Sequence, residues 1–436
     1  MPTVSALDHV RDLGRFVSAS PSSFHATAEA ARRLSAAGFK QLDERQEWPK
    51  EAGSYFVIRH GALLAWLLPA TAGPRTGFNI FGAHTDSPSF KLKPKSTTGR
   101  FGWLQAGVEV YGGPLLNSWL DRELCLAGRL VLLDGSTVLA QTTPLLRFPQ
   151  LAVHLDRSVN EGFKLDRQYQ MNPIWGLGDP SEADLLAVLA ESAGVQAAQV
   201  AGYDVVLADT QQPEVFGADQ AFFASGRLDN LSSVHAGVQA LIELADTTEN
   251  AGSESEAPIA VLAAFDHEEV GSGSTSGASG PILADILARI SASLGAGSED
   301  WHRALASSWC LSADAGHAVH PNYADRHDPA NHPQLNAGPL LKINANQRYA
   351  TDAEGAALVA RLARQENIPY QEFVSNNDIP CGSTIGPLTA TRLGIRTIDV
   401  GVPLLSMHSA REMSGVQDPL WLSQLGRAFF AATTGR

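Results

Sequence analysis

The sequence is poor in sulfur, in positive charge and in long apolar runs. Three cysteines, Cys125, Cys310 and Cys381, are spread across 436 residues. They form no CxxC pair and no even set, so neither a disulfide framework nor a thiolate metal site is expected. A reducing, cytoplasmic compartment is expected instead. Lys and Arg number 32 against 46 Asp and Glu, for a formal net charge of −14. That deficit argues against a nucleic-acid partner, whose phosphates need a basic face. It also argues against an anionic membrane surface. The longest apolar runs, such as Ala62 to Ala70, are too short to span a bilayer. Met1 to Phe16 is a mixed-charge helical pattern without an apolar stretch, so no secretory signal is expected. Internal repeats and low-complexity segments are absent.

What is present is an ordinary globular composition, 44% apolar and 18% charged. The length suggests about two or three domains. Residues 5–18 and 22–38 read as amphipathic helices, the second capped by Ser22 or Ser23. Ser54 to Ile58 and Ala62 to Leu68 read as a hairpin around His60-Gly61. Gly77 to Ala83 reads as a strand. After about residue 94 the texture turns to short alternating segments with Gly and Pro turns, among them Gly107 to Tyr111, Leu124 to Leu133 and Thr137 to Leu139. This predicts a β-rich insertion over 95–220. From Ser225 strands and helices alternate again, with helices at about 230–245, 281–293, 353–365 and 383–393. A polar, acidic linker is expected from Asp246 to Glu256. The pattern predicts an α/β fold, a mostly parallel sheet with helices on both faces. Residues 1–94 and 221–436 would form this discontinuous domain around the insertion.

The chemistry concentrates at Phe265-Asp266-His267-Glu268-Glu269-Val270-Gly271-Ser272. Two adjacent carboxylates end the apolar run Ile259 to Phe265, and buried carboxylates need a positive partner. One can hold a cation while its neighbour moves a proton. His84 with Asp86, Asp229, Asp314 and His408 occupy similar places, at strand ends or a helix start. Ligands in open α/β sheets gather outside the carboxyl ends of the strands, so these residues can converge. Imidazole and carboxylate donors suit zinc, with cobalt or manganese as substitutes. Asp86, two residues from His84, is placed to accept its ring N–H and fix the tautomer. Taken singly, each piece has a plainer reading. Asp229 could be a helix N-cap, Asp314 a turn residue, and His408 a loop histidine.

In combination the residues resemble a known family. His84-Thr85-Asp86-Ser87-Pro88, Gly226-Arg227-Leu228-Asp229-Asn230, the Glu268-Glu269 stretch, Ser312-Ala313-Asp314 and Met407-His408-Ser409-Ala410-Arg411-Glu412 are similar to segments of the aspartyl aminopeptidases. So are Leu151 to Leu155, Asn346 to Ala350 and Asp378 to Pro387. The resemblance runs through the chain in order. It implies two divalent ions, zinc by preference, and a water between them. Asp229 would bridge the ions. His84 and Asp314 would complete one shell, Glu269 and His408 the other. Glu268 would be the general base, and Asp86 would orient His84. The resemblance also implies peptide substrates with an acidic N-terminal residue, and Lys342 and Tyr349 in the substrate pocket. On its residues alone, Lys342 reads as a surface lysine. A further implication is a homo-oligomer, a dodecamer built from dimers through the insertion, with His154 entering a neighbouring subunit's site.

Rival readings are a dinuclear aminopeptidase of neutral specificity and a catalytically silent assembly protein on the same scaffold. A serine hydrolase fits poorly, since Gly271-Ser272-Gly273-Ser274 lacks the spacing of a nucleophile elbow.

Overall fold

The computed structural model describes residues 5–251 and 257–433. The apolar run Ile259–Phe265 is a strand with every residue buried. It lies between Ala62–Leu68, to which it is antiparallel, and Phe78–His84, to which it is parallel. Phe78–His84 continues in parallel to Trp309–Ala313, which pairs in parallel with Arg396–Gly401. These four strands are the parallel centre of a nine-stranded sheet. The sheet as a whole is mixed, with parallel pairings in the majority and antiparallel ones at three places. The tight turn at His60-Gly61 sets Gly53–Arg59 against Ala62–Leu68, and Leu340–Lys342 runs against Arg396–Gly401. The short link at His60-Gly61 allows only an antiparallel neighbour, whereas parallel ones need a long crossover.

Strand alternation distributes the core to both faces. Ala260, Leu262 and Ala264 join an apolar cluster with helices Ala6–Ser18, Ser23–Ala36, Leu228–Ala251, Ala353–Glu366 and Asp418–Ala431. Ile259, Val261, Ala263 and Phe265 face a second cluster with Ile282–Ser293, Ser298–Ala306 and Ile385–Leu393. Each buried Leu, Ile or Phe contributes roughly 1.5–3 kcal/mol of transfer free energy.

A second, six-stranded sheet is wholly antiparallel and lies between residues 89 and 209. Its strands are Ser89–Arg100, Trp103–Tyr111, Leu124–Leu132, Thr137–Gln141, Ile174–Leu177 and Val200–Asp209. Phe90, Trp119, Phe148 and Leu207 pack in a core of its own. A third sheet of five short strands joins Phe222–Ser225 to Glu412–Gly415 and Pro403–Leu405. The sequence pattern does not disclose it, because strands of two to four residues carry no usable periodicity.

One boundary needs correction. The helix expected at 230–245 runs Leu228–Ala251 and takes in the first half of the expected linker. No Gly or Pro interrupts it before Gly252, and Asp246 and Thr247 on its extension are exposed. Residues 252–256 of that linker lie outside the described residues. Among the described residues no helix is long and apolar enough to cross a membrane.

Candidate metal centre

His84 is the last residue of Phe78–His84 and sits in register with Phe265 at the end of the neighbouring strand. Glu268 and Glu269 form a single helical turn just beyond, entered through His267 at φ 63°. Asp314 follows Trp309–Ala313, and Asp229 lies in the first turn of Leu228–Ala251. His408 comes from the loop between Pro403–Leu405 and Glu412–Gly415. Parallel strands that end side by side therefore deliver the groups to one place.

Asp229 is at the middle. Its Oδ1 lies 3.4 Å from His84 Nε2, and its Oδ2 lies 3.4 Å from His408 Nε2. His84 Nε2 is also 3.5 Å from Asp314 Oδ1 and 3.8 Å from Glu268 Oε2. His408 Nε2 is 3.6 Å from Glu269 Oε2. Donor atoms of His84, Asp229 and Glu269 all lie within 4.8 Å of one another. Asp229 Oδ1 and Glu269 Oε1 are buried without a hydrogen-bond partner. A buried carboxylate oxygen left unpaired is costly, and a divalent ion held by imidazole and carboxylate donors would satisfy it. The residues fit such an ion.

The electrostatics agree. Burial drives Glu268 up to about 7, with Asp314, Asp229 and Asp86 adding repulsion against the pull of His84. Burial and Asp229 hold Glu269 well above the usual carboxylate range. Burial works against the charged forms of His84 and His408, yet Asp229 raises both, His408 to about 9. Asp229 stays well below its ordinary value despite burial, held there by the two histidines. The cluster thus draws positive charge toward itself, as protons when no other cation is at hand.

A ring of partners surrounds these groups. Asp86 accepts the backbone N–H groups of Glu268 and Glu269 at 3.0 and 3.2 Å. His84 Nδ1 lies 3.3 Å from the Asp86 carboxylate and 3.1 Å from the Asp86 carbonyl, so the two acceptors share its N–H. Glu412 is buried and accepts N–H bonds from Asp229 at 3.0 Å and His408 at 2.8 Å. Burial and Asp229 push it up to about 8 against those bonds. Tyr111 donates to Asp86 Oδ2 at 2.8 Å, and the Gly113 carbonyl faces His408 Nδ1 at 3.0 Å. Sequence reasoning missed Glu412, Tyr111 and Gly113 as functional residues. Only the position of Glu412 at the end of a matched segment hinted at one of them.

A cleft of about 460 Å³ opens over the centre, lined by Asp229, Glu268, Glu269, Asp314, Lys342 and Tyr349 among others. Lys342 is only 1% exposed, which corrects the surface reading. Its Nζ donates to the Ala315 carbonyl at 2.7 Å and lies 5.2 Å from the Tyr349 ring centroid. Among the described residues no carboxylate is within ion-pair distance of it. His154 stands apart, exposed on the segment after Phe148, and does not line the cleft of its own chain.

Comparison with known proteins is consistent throughout. The sequence model of the family described as "Aminopeptidase I zinc metalloprotease (M18)" matches residues 16–430. A "Probable M18 family aminopeptidase 2" of Streptomyces avermitilis is 53% identical over 424 residues, covering 97% of each chain. A chain in the cryo-EM structure of the Ape4 and Nbr1 complex superimposes with a TM-score of 0.93 at 37% identity, covering 98% of this chain and 86% of that one. The S. cerevisiae mApe1 dodecamer gives 0.85 at 29% identity, with 98% and 97% covered. The chain therefore belongs to the M18 family, the aspartyl aminopeptidases, and is a zinc-dependent aminopeptidase.

Proposed function

We propose that this aminopeptidase removes N-terminal aspartate and glutamate from peptides at a centre of two divalent cations. One observation carries the reading: a buried ammonium group, Lys342, stands in the wall of the cleft that opens over the acids and imidazoles. The overall charge of −14 repels an acidic substrate, so its side chain needs a local cation to meet.

The distances support a division of the ligands. His84 and Asp314 would hold one ion and His408 and Glu269 the other, with Asp229, which is close to both histidines, shared between them. When bound, the ions (zinc, or cobalt or manganese in its place) would supply Lewis acidity for activating water and polarising the scissile carbonyl. Glu268 takes a proton from the attacking water and passes it to the leaving amine nitrogen. Asp86 holds the His84 ring and the backbone of Glu268 and Glu269 in place. Lys342 Nζ meets the substrate's side-chain carboxylate, with the Tyr349 ring beside it.

The assembly belongs to the same reading. The dodecamer of a relative supports a dodecamer built from dimers here. Residues 1–94 and 221–436 hold the metal centre, and 95–220 join subunits. Leu151, Val153 and Leu155 are 62%, 49% and 74% exposed around His154, which supports a neighbour's covering that segment and receiving the histidine. The three unpaired cysteines support a cytoplasmic setting.

A panel of chromogenic amino-acid substrates tests the specificity. The wild type cleaves Asp and Glu derivatives best. Lys342→Met loses kcat/KM on these by roughly ten- to hundred-fold, the worth of a charged hydrogen bond, and changes little on neutral residues. An equal loss on all substrates removes Lys342 from the specificity role, and a wild type that cleaves neutral derivatives best shifts the assignment to neutral specificity.

A further inference from the structure

The strand Trp103–Tyr111 leaves the second sheet against the metal centre rather than into solvent. Tyr111 donates to Asp86 Oδ2 at 2.8 Å, and Asp86 holds His84 and the N–H groups of Glu268 and Glu269. Two residues later the Gly113 carbonyl faces His408 Nδ1 at 3.0 Å. The Leu115 N–H donates to the His408 carbonyl at 2.9 Å, and Ser118 Oγ accepts the Ala410 N–H at 2.9 Å. Between these contacts, Gly112 at φ +71° presses on Glu269. A Cβ there would lie 3.1 Å from Glu269 Cβ.

We infer that Tyr111–Ser118 is a positioning segment for the metal centre, Tyr111 acting through Asp86 and Gly113 through His408. The inference rests on the two-cation reading above. An imidazole that donates from Nδ1 presents the lone pair of Nε2, and the partner on Nδ1 fixes both tautomer and ring angle. Both histidines of the centre are held in this way, and in both cases the hold reaches back to one segment. The ligands themselves come from other parts of the chain. The cleft lining contains no residue of Tyr111–Ser118, so the segment acts on metal affinity and leaves substrate recognition alone.

Tyr111→Phe keeps the ring and removes the donor. A control, Tyr203→Phe, removes a 2.7 Å bond to the Lys93 carbonyl within the same sheet, away from the centre. The experiment titrates zinc into metal-free protein against a chromogenic chelator, and measures kcat, KM and the unfolding temperature of the metal-free forms. In Tyr111→Phe the weaker zinc affinity should fall roughly ten- to hundred-fold, the usual effect of losing a partner of a metal ligand. KM for an aspartyl substrate and the metal-free unfolding temperature should stay at wild-type values, and Tyr203→Phe should keep wild-type affinity. In an Asp86→Asn background the tyrosine change should add almost nothing, because the two act as one path. Wild-type affinity in Tyr111→Phe overturns the inference, as does an equal fall in Tyr203→Phe or full additivity with Asp86→Asn. A wild type that holds one zinc ion overturns the two-cation reading alone, and the same comparisons then read out on that ion.

Discussion

Glu268 is useful because of its company. Burial and three nearby acids raise its proton affinity, and His84 opposes them. A carboxylate so placed can both accept and return a proton near neutral pH. Glu268→Gln should keep the metal content measured by atomic absorption and lose kcat by roughly 10²–10⁴. Near-normal turnover with full metal would remove it from the role of base. His84, Asp229, Glu268, Glu269, Asp314 and His408 were all legible in the sequence, because each stands at a strand end, a helix start or a loop beside glycine and serine. Glu412 was not. A buried acid that receives two backbone N–H groups is defined by what folds around it, and nothing in its own neighbourhood announces that. Lys342 failed for the opposite reason. Lysine is rarely buried fully, so composition alone favours the surface.

The long helix Leu228–Ala251 shows how an element carries Asp229 into place. It lies against Asp418–Ala431 and the strand Phe78–His84, and Gly237 and Gly426 make room for the Phe81 ring. A Cβ at Gly237 would stand 2.6 Å from Leu262 Cδ1 and 2.9 Å from Phe81 Cδ1. Gly237→Ala should destabilise by about 1–3 kcal/mol despite its better helix propensity, because the overlap outweighs it. A raised urea midpoint would refute that. The same helix holds His235, whose ring meets His9 of Ala6–Ser18 edge-on at 4.9 Å between centroids. Burial, then His235, keeps His9 down at about 3, and burial lowers His235 against the pull of Asp12. Both rings ionise near 6.5 once unfolded. Below that pH the unfolded chain binds more protons, so stability falls as pH drops from about 6.5 toward 4. The slope is at most about 1.4 kcal/mol per pH unit per histidine. His9→Phe should make the urea midpoint of metal-free protein less sensitive across this window. An unchanged slope would rule the pair out. At this scale the central strands and long helices could be read from apolar periodicity. The third sheet could not, nor could Val200–Asp209, whose pattern is blurred by burial on alternate and adjacent positions alike.

For the molecule as a whole, the core is two apolar clusters packed on the two faces of the central sheet and drawn from strands and helices along the chain. The metal is expected to add to this core without building it. Chelation should therefore leave the far-UV circular dichroism unchanged while lowering the unfolding temperature. The stabilisation lost is about 2.7 kcal/mol for each ion present at a hundredfold excess over its Kd. Loss of secondary structure on chelation would contradict this division.

The groups that define the centre run from His84 to His408 in a chain of 436 residues. The strand Ile259–Phe265 must also slot between two strands made much earlier. With His408 as a ligand, as proposed above, a polypeptide still being made on the ribosome should hydrolyse nothing until nearly all of it has emerged. A chain truncated before His408 should show no turnover in a peptidase assay. The order in which the residues are made would then spare the cell stray proteolysis by unfinished chains.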